Sequence, residues 1–118
     1  MIEHWIAKFR NALRGVCLGI VGQSSFSIHI PTAALVLVLA VWLRCEAWQF
    51  AVLGLCIALV MALELMNSAL EYLARGLCKE HNAEVGKSLD IASGAVLVAS
   101  CIAALIGASI FCYQFFMR

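Results

Sequence analysis

Glu64, Asn67, Ser68 and Glu71 close a long apolar run, in the segment Glu64-Leu65-Met66-Asn67-Ser68-Ala69-Leu70-Glu71. On a helix these positions follow i, i+3, i+4, i+7 and share one face. The two carboxylates then stand two turns apart, about 10 Å along the axis at roughly 1.5 Å per residue. Ionisable groups at membrane depth are costly and point to function. Glu64, the deeper, suits a general base if a nearby cation or donor keeps its carboxylate accessible. Glu71, nearer water, offers oxygen to a hard cation. Asn67 and Ser68 can hydrogen-bond either carboxylate or a substrate. Further on, the polar stretch 75–90 carries Arg75, Lys79, Glu80, His81, Glu84, Lys87 and Asp90. Its basic side chains can accept phosphate.

The competing account is structural, because polar side chains also fasten membrane helices together. It serves Asn67 alone as well as the chemical one. It serves Glu64 and Glu71 less well, since packing rarely needs two acids on one face. Glu80, Glu84 and Lys87 taken singly read as solvated loop residues. His29 reads as an interfacial packing residue, and no zinc or haem site is expected. The cysteines at 17, 45, 56, 78, 101 and 112 form no CxxC pair. Those inside apolar runs behave as small hydrophobes. There is no P-loop, GxGxxG or GxSxG.

The elements that must position these residues follow from composition. The 118 residues are 64% hydrophobic and 13% charged, with a mean hydropathy of +0.99. A soluble domain averages about 25% charged, so the chain reads as a single all-α membrane domain over 1–118. A net charge of +1 without a basic patch excludes a nucleic-acid partner. The opening ten residues lack the apolar core of a signal peptide.

Residues 1–22 predict an amphipathic surface helix, with Ile2, Trp5, Ile6, Phe9, Leu13, Val16 and Ile20 at spacings of three and four. Gly22-Gln23-Ser24-Ser25 reads as a junction. Transmembrane helices are expected at about 26–46, 48–73 and 88–116. Pro31 is placed in a first turn; Trp42 and Trp48 serve as interfacial anchors. A solvated loop is expected within 75–90. The third span is rich in Ala, Gly and Ser, which permits close helix approach. Lys8, Arg10, Arg14, Arg75, Lys79 and Lys87 fall on one side, and Arg44 and Arg118 on the other. That asymmetry places the N-terminus and the polar loop in the cytoplasm.

With these residues in view, the chain resembles the small prokaryotic diacylglycerol kinase family, which also includes undecaprenol kinases. The family pattern E-x-x-N-[ST]-A-[IL]-E matches Glu64 to Glu71. Its second part, K-D-x-[AG]-[AS]-[AG]-A-V-L, matches from Asp90, nineteen positions on, through Ser93-Gly94-Ala95-Val96-Leu97. Phe9, Ala12, Gly15 and Phe26 also fit, and the likeness covers nearly the whole chain. The resemblance implies a homotrimer of three-span subunits in the bacterial inner membrane. ATP and magnesium would bind on the cytoplasmic side, and a lipid alcohol would enter from the bilayer. It implies Glu64 as the base and Glu71 as a magnesium ligand and nucleotide-site residue. Asn67 and Ser68 would support the site. Asp90, Glu80 and Lys87 would belong to the nucleotide site, and Ser93 to the lipid side.

Four positions depart from the pattern. Gln23 stands where the family has a second metal-binding glutamate, offering a neutral oxygen to the metal site. Leu89 stands where a phosphate-binding lysine precedes the aspartate. Asn82 replaces a loop histidine, and Arg75-Gly76 replaces an acid–basic pair. The leading expectation is an ATP-dependent lipid kinase. The alternatives are a phosphotransferase or phosphatase with other partners, and a non-catalytic trimeric scaffold.

Overall fold

The computed structural model describes residues 1–117; Arg118, assigned above to the outer side, lies outside the described residues. Among the described residues all regular structure is helical: α1 (Ile2–Gly22), α2 (Phe26–Trp42), α3 (Ala47–Leu77) and α4 (Ala83–Phe116). α3 and α4, of 31 and 34 residues, are each long and apolar enough to cross a membrane. α2 has 17 residues and passes that test only jointly with α1, from which it bends by 103°.

Several boundaries differ from the expected ones, for local reasons. α4 begins at Ala83 rather than 88, and α3 continues to Leu77 rather than 73. The solvated connection therefore shrinks to residues 78–82. The Asn82 side chain accepts from the backbone N–H groups of Glu84 at 3.0 Å and Val85 at 3.2 Å. That satisfies two of the donors a helix start leaves orphaned, and Glu84 adds negative charge to the first turn. α2 stops at Trp42 rather than 46, and Arg44 takes a φ of 57°, outside the right-handed helical region. Pro31 lies inside α2 rather than in its first turn, so the Ser27 carbonyl lacks its usual i+4 donor.

α3 and α4 form the most extensive helix pair, and α2 and α1 both pack on α3. Ala40, Leu53 and Ile110 join α2, α3 and α4 in a small core with Phe50, Ile106 and Phe111 around it. The turn between α2 and α3 is tied to α4 by carboxamides. Gln114 Nε2 donates to the Leu43 and Arg44 carbonyls, each at 3.2 Å. Gln49 Nε2 donates to Gln114 Oε1 at 3.2 Å, and Gln49 Oε1 accepts from the Glu46 N–H at 2.7 Å. Many large apolar side chains remain exposed, among them Leu35, Val38, Leu55, Leu59, Leu97, Ile102 and Leu105. Such faces suit lipid or other chains rather than water.

The other end is set by glycines. A Cβ at the buried Gly19 would collide with the Leu65 side chain, and one at Gly22 with the Tyr72 hydroxyl. Any side chain added at either position would require Leu65 or Tyr72 to move. The approach lays the junction at 23–25 and the start of α2 beside the face carrying Glu64 and Glu71.

Candidate active site

The face predicted from spacing is built as one unit on α3. Glu64, Asn67 and Ser68 are buried, at 4%, 6% and 1% exposure, and Glu71 is half-buried. A buried carboxylate needs polar partners, and each acid here has its own pair.

Glu64 is held from α2. The Ser25 hydroxyl donates to Glu64 Oε1, and His29 Nε2 lies 3.4 Å from Glu64 Oε2. Ser68 does not reach a carboxylate; its hydroxyl donates to the Glu64 backbone carbonyl at 3.0 Å.

Glu71 is held by two carboxamides. Gln23 Nε2 donates to Oε2 at 2.9 Å, and Asn67 Nδ2 donates to Oε1 at 3.0 Å. Asn67 Oδ1 is buried without a hydrogen-bond partner, so a second acceptor faces this cluster unsatisfied. Arg75 Nε donates to the Glu71 carbonyl at 3.4 Å, and its guanidinium lies over the Tyr72 ring, 4.6 Å from the centroid.

The implied magnesium ion can be tested against this donor set. Among the described residues no group of three His, Cys, Asp or Glu side chains could hold a metal. Magnesium, however, is commonly held by one or two carboxylates plus substrate phosphates and water. Glu71, the Gln23 carboxamide and the unsatisfied Asn67 Oδ1 supply oxygen of that kind with a single negative charge. The residues fit a cation that arrives with a nucleotide better than one bound alone.

The remaining predicted residues lie apart. Glu80 and Asp90 are exposed, and Lys87, also exposed, pairs with Glu84 at 3.3 Å. Ser93 is exposed on α4, and Leu89 is half-buried there. Among the described residues no hydrogen bond or ion pair joins Glu80, Lys87, Asp90 or Ser93 to the Glu64–Glu71 cluster. An apolar groove of about 530 Å³ runs between α2, α3 and α4, lined by His29, Val60, Met61, Ser100 and Ala104 among others. Val60 and Met61 lie one turn before Glu64, so the groove leads up to that carboxylate. The Ser100 hydroxyl is buried without a partner.

Two members of the site, Ser25 and His29, escape the sequence reading, which treats His29 as packing. Their signal was the i, i+4 spacing across the start of α2, which puts both on one face.

A family model described as prokaryotic diacylglycerol kinase matches residues 10–111. A diacylglycerol kinase of Synechocystis sp. is 39% identical over 103 residues, covering 86% of this chain and 59% of the relative. The chain thus spans about three fifths of that relative's length. An undecaprenol kinase of Bacillus subtilis is 26% identical over 110 residues, covering 93% of this chain and 89% of the relative. A diacylglycerol kinase of Escherichia coli is 28% identical over 92 residues, covering 78% and 75%. No solved structure matches. With the family model spanning most of its length, the chain belongs to the prokaryotic diacylglycerol kinase family.

Proposed function

We propose that the protein is a lipid kinase that transfers the γ-phosphoryl group of ATP to the hydroxyl of a membrane lipid alcohol, of diacylglycerol or undecaprenol type. The observation that carries this reading is a buried carboxylate, Glu64, one turn beyond Val60 and Met61 of an apolar groove, with Glu71 two turns on toward the α3–α4 loop. The names of the relatives support the same chemistry.

The lipid tail lies along the apolar surface and brings its hydroxyl to Glu64, which takes the proton as oxygen attacks phosphorus. Asn67 and Ser68 fix the α3 face, Asn67 through Glu71 and Ser68 through the helix backbone. Glu71 with Gln23 would hold magnesium, which would supply neutralisation of phosphate charge. Glu80, Lys87 and Asp90 flank the nucleotide from the loop and the start of α4, and Ser93 faces lipid. Phosphoryl transfer asks for positioning and charge neutralisation more than for covalent chemistry. The chain forms one membrane domain in the bacterial inner membrane, with α1 on the cytoplasmic surface. The exposed apolar faces of α3 and α4 support assembly into a homotrimer.

The test is detergent-purified protein with γ-labelled ATP, magnesium and a panel of lipid alcohols. Label in the lipid fraction supports the reading; none from any acceptor, beside an active relative, overturns it. A second reading changes the donor, or runs the site as a phosphatase. It is favoured by one observation: amide donors already occupy both oxygens of Glu71. Label transferred from a donor other than ATP would select it.

A further inference from the structure

Ser25 and His29 are not part of the α3 motif, and the chemistry above leaves them without a role. Both sit at the start of α2, four residues apart; the Ser25 hydroxyl donates to one oxygen of Glu64, and His29 Nε2 lies 3.4 Å from the other. His29 also lines the apolar groove, so the side chain that touches the base stands where an arriving hydroxyl must pass. The Glu64 side chain is 5% exposed and that of His29 is 23% exposed. Ser25 donates to Glu64, so in this arrangement it steadies the carboxylate rather than receiving from it.

We propose that His29, with Ser25, is a positioning residue for phosphoryl transfer, orienting the Glu64 carboxylate. The inference rests on Glu64 acting as the base. The lipid O–H bond breaks as its oxygen bonds to the γ-phosphorus, and ADP leaves with the electron pair of the cleaved P–O bond. The proton goes to Glu64. Ser25 on Oε1 and His29 beside Oε2 hold the plane of the carboxylate. α2 is thereby the element that aims the base, although the base itself is on α3.

The experiment measures lipid phosphorylation by the full chain and by His29→Ala, His29→Gln, Ser25→Ala and Glu64→Gln, with thermal unfolding in the same detergent. In His29→Ala, kcat should fall on the order of 10- to 100-fold, the cost of a loosened reacting group, with the nucleotide KM within about twofold. Added imidazole should restore part of that kcat, which a purely structural defect would not allow. His29→Gln keeps a donor of similar size and should retain more kcat than His29→Ala, with thermal stability unchanged. Placed on Glu64→Gln, His29→Ala should remove nothing further. The proposal is overturned if a folded His29→Ala keeps kcat within about twofold, or if neither imidazole nor His29→Gln restores any of the loss. If Glu64→Gln itself keeps full activity, the lipid-kinase mechanism fails, and the result is distinct from a failure at His29 alone.

Discussion

Gln23→Glu is the most informative single change, because it returns a carboxylate to a place where a carboxamide now donates to Glu71. The Nε2 donor at 2.9 Å from Glu71 Oε2 is lost. A hydrogen bond to a charged group contributes about 1.5–3 kcal/mol. In its place two negative charges face each other. At roughly 4 Å their repulsion is about 1 kcal/mol in water and about 4 kcal/mol at an effective dielectric of about 20. Both residues are half-buried, so the true value lies between. The sum, about 3–7 kcal/mol, is a large part of the roughly 5–15 kcal/mol that keeps a protein folded. A divalent cation between the carboxylates reverses the sign of that contact. The variant should therefore be less stable than the native chain without magnesium and regain stability as magnesium rises. A ligand at 100 times its Kd contributes about 2.7 kcal/mol. The assay is thermal unfolding in detergent across a magnesium titration without nucleotide, where the native chain should shift little. Equal magnesium dependence in the two proteins would refute the assignment of Gln23 and Glu71 to one cation site. So would a variant no less stable than the native chain in chelator.

Gly22→Ala should push the α1–α2 junction off α3 by collision with the Tyr72 hydroxyl, lowering kcat on the order of 10- to 100-fold through displaced Gln23 and Ser25. Adding Tyr72→Phe should recover part of the loss, and steady-state kinetics of the double variant check it. Gln114→Ala removes one hydrogen bond from Gln49 and two to the α2–α3 turn. At about 0.6 kcal/mol per polar contact between membrane helices, stability should fall by about 2 kcal/mol, while kcat of the folded protein stays put. Asn82→Ala should cost about 1 kcal/mol through the lost cap of α4, measured as faster amide exchange over residues 83–86.

The site was legible where chemistry and periodicity coincided. Glu64, Asn67, Ser68 and Glu71 share a face because helical spacing requires it, and the pairing of Asn67 with Glu71 follows from i, i+4 geometry. The link from Gln23 to Glu71 spans 48 residues and depends on two glycines letting α1 approach α3. Its partners are visible in the sequence, but the approach is tertiary. His29 reads as packing because one imidazole in an apolar stretch gives no other sign until the helix across from it is known. The helix ends moved for reasons of capping: Asn82 was weighed as a missing loop histidine, whereas its side chain starts α4. Arg44 gave no sign of its left-handed backbone, which depends on the turn that the Gln114 amide stabilises. The assembly lies beyond a single chain, and the exposed apolar faces of α3 and α4 show only that something apolar must cover them.

The central claim is that Glu64 takes the proton of a lipid hydroxyl. The direct measurement is transfer of label from γ-labelled ATP into lipid by the native protein and by Glu64→Gln, side by side in one detergent with matched unfolding curves. The carboxamide keeps the shape but cannot accept the proton, so the account predicts lipid product from the native chain and a rate lower by about 10²–10⁴-fold in the variant. Equal rates from the two proteins would contradict it.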